Sequence, residues 1–339
     1  MKTSVLFLLI AILLCALPIA EAQEKTPIRI GIIGLDTSHV PAFTGLFNDP
    51  KNEGDLVGFK VVAGFPGGSP DVKSSYTRVD MFTKQIHEKY GVEIVGSIDD
   101  LVKKVDAVLI ESVDGRPHLA QVIPVLKGGK IVFIDKPVAG SLADAILIYE
   151  LAGQYKTPVF SSSSLRFATN IRSIKNDPKL GKVLGCVSYS PCEIEPHHPD
   201  LFWYGVHGVE TLYTIMGTGC TSVSRTHTKD VDVATGVWND GRVGTYRGLR
   251  AGKSDYGTVV FGDKGIVNTN GYVGGYKPLV IEIAKFFKSR QAPVSAEETI
   301  EMFAFMEAAD ESKRHGGAPV TIDSVMKKAR EYNKTRKLP

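Results

Sequence analysis

The sequence predicts an α/β domain built on a parallel sheet, followed by an α+β domain with an open, mostly antiparallel sheet. Through residues 28–161, short apolar runs alternate with stretches of helical spacing, the pattern of βαβ units. From residue 182 the pattern becomes alternating strands joined by glycine-rich turns. The length, 339 residues, suits two cores better than one. The chain is 43% hydrophobic and 23% charged, which excludes a disordered protein. Forty Lys and Arg against 37 Asp and Glu leave a net charge of +3, too little basic field for nucleic acid. A small-molecule partner is expected.

The first strand is Ile28 to Gly34, followed by Val40, Phe43, Leu46 and Phe47 at helical spacing. Phe59 to Phe65 is the second strand and Arg78 to Tyr90 a helix. The segment Phe65 to Asp71 reads as a rigid turn with no helix promptly after it. Val92 to Val95 is extended, Ile98 to Lys104 helical, Ala107 to Ile110 a strand and Pro117 to Leu126 a helix. Lys130 to Ile134 is a strand, Leu142 to Ala152 a helix and Pro158 to Ser161 the last strand of the unit. In such sheets ligands sit at the carboxyl ends of strands, so the loops after Gly34, Phe65, Ile110 and Ile134 are the candidate site.

The domain boundary falls near Pro158, giving domains 26–157 and 158–339. The second begins with a helix from Ala168 to Asn176 and a strand from Lys182 to Cys192. Tyr204 to Met216 is helical, and Val223 to Val267 holds several strands. Helices Pro278 to Ser289, Ala296 to His315 and Ile322 to Tyr332 follow, expected to pack back.

Lys2, the apolar run Val5 to Ala16 and the small-x-small site Ala20-Glu21-Ala22 predict a signal peptide over 1–22. The mature chain is then expected in the periplasm or medium, exported unfolded because no twin-Arg pair is present. Leu14 before Cys15 argues against lipidation, and no later segment reads as a membrane span. Cys186 and Cys192 lie too far apart along one strand to pair, while Cys220 either pairs with one of them or is free.

The residues reached here resemble the glucose-fructose oxidoreductase / inositol dehydrogenase / rhizopine catabolism (Gfo/Idh/MocA) family. The likeness rests on landmarks in order: Ile30-Gly31-Ile32-Ile33-Gly34, Asp135-Lys136-Pro137, Arg166-Phe167, Gly181-Lys182-Val183 and Gly205-x-His207-x-x-Glu210. The resemblance implies a Rossmann-type first domain, a nicotinamide cofactor (NAD or NADP) over the sheet ends and a sugar or polyol substrate. It implies Lys136 and His207 as the pair that handles the hydroxyl proton. It also implies a homo-oligomer joined through the open sheet.

The cofactor fingerprint departs from G-x-G-x-x-G. Only Gly34 keeps its glycine; Asp36 and His39 stand at the second and third positions. Asp36 is thus expected to put a carboxylate where phosphates would approach. Strand two ends without an acid for the ribose, and Trp203 stands where the family has an Asp. A chain exported unfolded also carries no bound dinucleotide along. Candidate cofactor residues are Gly34, Asp36, Thr37, Ser38, His39, Asp114, His118 and Asp135; no metal is assigned. Asp36 or Thr37 alternatively caps the helix, and His118 either caps its helix or lines the cleft. If Asp36 and His39 face the cleft, they form a polar site with Asp114, His118, Glu111 or Asp135, of a kind that binds a sugar hydroxyl or a divalent cation. Candidate substrate residues are Arg166, His198, Trp203, Tyr204 and Glu210, with His197 and Asp200 in the same polar stretch as His198. Two other activities use the same cleft: a redox-neutral lyase or hydrolase on a keto-sugar, and noncatalytic carbohydrate binding.

Overall fold

The computed structural model describes residues 26–174 and 177–338. The predicted leader, with Cys15, lies outside the described residues. Six strands form the first sheet: β1 (Ile28–Ile33), β2 (Phe59–Phe65), β3 (Glu93–Ile94), β4 (Ala107–Ile110), β5 (Ile131–Ile134) and β6 (Val159–Ser161). All neighbours pair in parallel, in the order β3-β2-β1-β4-β5-β6. This is the doubly wound order whose direction of winding reverses beside β1, opening a crevice at the strand ends. β4 and β5 are buried along their whole length, as expected for strands covered on both faces.

Helices His39–Phe47 and Val79–Tyr90 cover one face. The distant Lys277–Ser289 helix joins them through Leu279, Val280, Ile283 and Phe286. On the other face lie Ile98–Lys104, His118–Lys127 and Leu142–Gln154. The long Ala296–Arg314 helix and the final Ile322–Thr335 helix pack there too, and Asn333 donates to the Ala143 carbonyl at 2.8 Å.

The second sheet has seven strands: β7 (Val183–Pro191), β8 (Cys220–His227), β9 (Val231–Trp238), β10 (Val243–Leu249), β11 (Gly257–Gly262), β12 (Ile266–Asn270) and β13 (Val320–Thr321). Their order is β12-β11-β7-β10-β9-β8-β13, antiparallel except for β7 with β10. The Val206–Met216 helix lies against its inner face. A Cβ on Gly208 would come within 2.2 Å of the Tyr246 ring, so glycine sets how closely helix and sheet approach.

Two expectations need correction. A short helix, Lys73–Tyr76, does follow the Phe65–Asp71 turn directly. The predicted Tyr204 start of the second-domain helix is a π-turn, Leu201–Gly205, which shifts the first α-helical residue to Val206. Cys186, Cys192 and Cys220 are all free, buried thiols, so Cys220 pairs with neither.

The retained glycine of the first loop is structural. Gly34 has φ +85°, and a Cβ there would sit 2.2 Å from Ser112 Oγ and 2.4 Å from its backbone nitrogen. Gly34→Ala is expected to cost roughly 1–3 kcal/mol for the left-handed backbone and a similar amount for the clash. A urea-denaturation midpoint equal to that of the unaltered protein would remove Gly34 from this role.

Candidate active site

A cleft of about 300 Å³ opens at the carboxyl ends of the first sheet's strands. Its first-domain wall takes Thr37, Ser38 and His39 after β1, Ser74 and Arg78 after β2, Val113 after β4 and Lys136 after β5. Ser164 and Leu165 follow β6, and Trp203, Tyr204, His207, Tyr256 and Tyr272 come from the second domain.

Lys136 and His207 therefore face one space from opposite domains. The Lys136 Nζ has no hydrogen bond or ion pair among the described residues and lies 6.0 Å from the Tyr204 ring centre. Burial pushes its pKa below the ordinary lysine value; Asp135 opposes this and the Arg78 charge adds to it. His207 Nδ1 is 2.6 Å from Ser163 Oγ, and its ring meets Tyr204 edge-on at 5.1 Å. Burial, reinforced by the positive charges of Lys136 and His39, drives its pKa well below the usual imidazole value. His207 is accordingly neutral at physiological pH.

His39 lines the cleft and bonds Asp135 through Nδ1 at 2.5 Å. Burial alone would raise the Asp135 pKa, but the charge and hydrogen bond of His39, with Lys136 beside it, hold it below the ordinary range. His39 also stacks on Phe43 at 5.1 Å and meets the Tyr276 ring at 4.5 Å.

Several expected site residues lie behind the cleft wall. Asp36 is fully buried; its oxygens accept from Ser75 Oγ at 2.5 Å and the Val113 amide at 2.8 Å. The carboxylate thus turns inward and braces the loops after β2 and β4, contrary to the expectation that it would meet phosphates. Of the two expected caps, Thr37 Oγ1 accepts from the His39 amide at 3.4 Å and Asp36 does not reach the helix; Ser38, the residue at the N-cap, makes no side-chain bond of this kind. His118 is buried, its ring nitrogens 2.9 Å from the Ser112 carbonyl and 3.3 Å from that of Val138, so it ties two loops rather than lining the cleft. Asp114 is held by Ser69, Arg116 and His198, and His198 Nε2 also lies 3.2 Å from the Gly115 amide. That cluster joins the two domains beside the cleft. Arg166 and Glu210 pair with each other underneath it. Asp200 is taken up by Arg225 and Lys313, and His197 by Glu195 on the surface. Glu111 is buried with neither carboxyl oxygen partnered; burial and the Asp135 and Asp36 charges push its pKa far up, leaving a neutral acid. Among the described residues no group of three or more His, Cys, Asp and Glu is placed to hold a metal ion.

Ser74, Arg78, Glu193, Tyr256, Tyr272 and Tyr276 line the cleft and were not singled out in the sequence. Ser74 and Arg78 follow β2, where the strand-end rule did point; the turn reading obscured the short helix that carries Ser74, and Arg78 stood only as the first residue of the next helix. The three tyrosines come from long-range packing and carry no local signal.

Residues 28–163 match a family model described as oxidoreductase family, NAD-binding Rossmann fold. Over this domain, 136 of the 339 residues, the chain is similar to the Gfo/Idh/MocA family. Inositol 2-dehydrogenase 3 of Saccharopolyspora erythraea is 29% identical over 130 residues, 36% of this chain and 37% of that protein. YceM of Salmonella typhimurium, assigned to the oxidoreductases, is 34% identical over 113 residues, 33% of this chain and 36% of its own length. The aligned segments thus span little more than a third of these curated relatives. Over the whole fold, scyllo-inositol dehydrogenase from Lactobacillus casei, with bound NAD(H) and scyllo-inositol, superposes with a TM-score of 0.71. That match covers 88% of this chain and 100% of the other at 17% identity, a likeness of fold.

The residues at the phosphate end of this Gfo/Idh/MocA fold do not fit a dinucleotide seated on the first helix. Such a seat needs free amides at the helix N-terminus. Here the His39 amide faces Thr37 Oγ1 at 3.4 Å, the Val40 amide donates to the Thr37 carbonyl at 3.2 Å, and Pro41 has no amide hydrogen. The Tyr276 ring packs on His39 at that same end. The third-glycine position is filled by a histidine already bonded to Asp135.

Proposed function

We propose that the cleft carries out redox-neutral proton transfer on a keto-sugar or a related polyhydroxylated carbonyl compound, outside the cytoplasm. The observation that carries this reading is the meeting of Lys136 and His207 at a cleft whose helix amides are already engaged. With Nδ1–H donated to Ser163 Oγ, which also accepts the Leu165 amide at 3.2 Å, His207 keeps Nε2 as a free base. Nε2 takes the proton from the carbon beside the carbonyl. The Lys136 ammonium donates a hydrogen bond to the oxygen on which negative charge develops. Trp203, Tyr204 and Tyr256 supply aromatic faces and hydroxyls to the sugar ring; the Tyr204 and Tyr256 hydroxyls lie 3.1 Å apart.

The fold neighbours favour a second reading, oxidation of a polyol with a dinucleotide held in another pose. One experiment separates them. The mature chain is incubated with a panel of keto-sugars in heavy water and deuterium uptake beside the carbonyl is followed by NMR. Uptake that is indifferent to added NAD and abolished by His207→Ala supports proton transfer. Reduction of NAD in the presence of a polyol, without uptake, restores the dehydrogenase. Sugar affinity that survives both Lys136→Ala and His207→Ala with no turnover identifies a binding protein.

Val237, Val243 and Phe261 lie exposed on the outer face of the second sheet, and we place self-association there. Val237→Lys is expected to shift a light-scattering mass from dimer to monomer.

A further inference from the structure

We infer that the substrate carries a carboxylate, and that Arg78 and Ser74 hold it beside Lys136. The cleft then takes a sugar acid rather than a neutral sugar, an inference that rests on the sugar-processing reading above.

The charges of the cleft carry it. Arg78 spends its Nε on the Ser74 carbonyl, and its two terminal nitrogens have no partner among the described residues. Lys136 Nζ has none either, and it feels the Arg78 charge. The carboxylates nearby are not free to answer them. Asp36 is occupied by Ser75 and Val113, and Asp135 by His39 and the Lys136 amide. Glu193, the carboxylate among the lining residues, is exposed and forms no ion pair among the described residues. Asp36 and Asp135 act on these cations only at a distance, and two cations in a partly dehydrated cleft with no carboxylate in direct contact favour a ligand that brings one. Ser74 Oγ adds a second, independent sign: it is buried at this wall and has no hydrogen-bond partner among the described residues.

A carboxylate suits this arrangement better than a phosphate. Two coplanar oxygens match one guanidinium fork, with a hydroxyl left to complete the shell. Phosphates gather backbone amides, and the amides of the first helix are engaged. The volume of about 300 Å³ is of monosaccharide scale. A bound carboxylate would also offset the Arg78 charge at Lys136 and keep the amine protonated as the hydrogen-bond donor.

The test is titration calorimetry of the mature chain with D-galacturonate, D-galactose, D-galactose 6-phosphate and inorganic phosphate at one pH and salt. Galacturonate is expected to bind at least about tenfold more tightly than galactose. In Arg78→Gln that preference falls to near one; in Arg78→Lys and Ser74→Ala, both milder for folding, part of it survives. Equal binding of galacturonate and galactose, or a preference unchanged in Arg78→Gln, overturns the carboxylate site and leaves the sugar reading intact. Tighter binding of either phosphate also overturns it. Failure of every sugar to bind removes the underlying reading as well.

Discussion

Lys136→Met is expected to lower turnover by about 10²–10⁴-fold, the usual share of a positioned acid or base. Methionine keeps the apolar stem and removes only the amine, so the loss should fall on kcat more than on substrate affinity. The pH profile gives the sharper signature. Burial and Arg78 place the Lys136 pKa below the ordinary 10.5, so the ammonium donor is lost as pH rises through that lowered value. The basic limb should therefore begin below 10.5. The acid limb belongs to His207, which must be neutral to accept a proton; its depressed pKa moves that limb below 6.5. Lys136→Arg should carry the basic limb out of range, because guanidinium does not titrate there. Turnover in Lys136→Met within about threefold of the parent would take the amine out of the proton path.

Arg225→Met should produce the largest loss of stability, about 3–5 kcal/mol. Arg225 is fully enclosed, and its guanidinium reaches Asp232 at 2.7 Å, Asp200 at 2.8 Å and Asp310. Arg250 and Lys313 complete the cluster on Asp232 and Asp200. Removing the central cation strands buried carboxylates, which costs more than the lost attraction itself. Burial, against the pull of Arg225, already lifts the Asp310 carboxyl to about 7, above its unfolded value of 3.8. A raised carboxyl pKa means that Asp310's stabilising share is whole below 3.8 and is lost as pH climbs toward 7. Without Arg225 the value rises further, so the variant's deficit should be smaller in acid than at pH 8. Urea midpoints at the two pH values measure it; an equal deficit at both would show that the cluster does not control Asp310. Because Asp200 immediately precedes the turn bearing Trp203 and Tyr204, the cleft wall should loosen with it.

The α/β order, the strand positions and the placement of Lys136 and His207 on one cleft were legible because each leaves a local mark. β4 and β5 read as unbroken apolar runs since both faces are covered, and Lys136 sits where a strand ends. Family landmarks placed His207 at the start of its helix. The direction of a side chain leaves no such mark. Asp36 looked like an obstacle to phosphates, yet it turns inward because the Val113 amide and Ser75 hydroxyl, distant in sequence, offer bonds that water would otherwise supply. Arg78 and Ser74 were passed over for a similar reason: whether a cation faces a cleft or solvent depends on what the other loops already neutralise.

The sequence by itself determined the two-domain architecture and the residue types at the strand ends, since periodicity and turn chemistry act over a few neighbours. Only the tertiary structure decided which polar groups are spent on one another and which remain for a ligand. That division depends on partners brought together from 39 to 132 residues away, as in Asp36 with Ser75, His39 with Asp135 and Arg166 with Glu298. Burial makes it decisive, because a polar group withdrawn from water must find its partner in the protein or in what the protein binds.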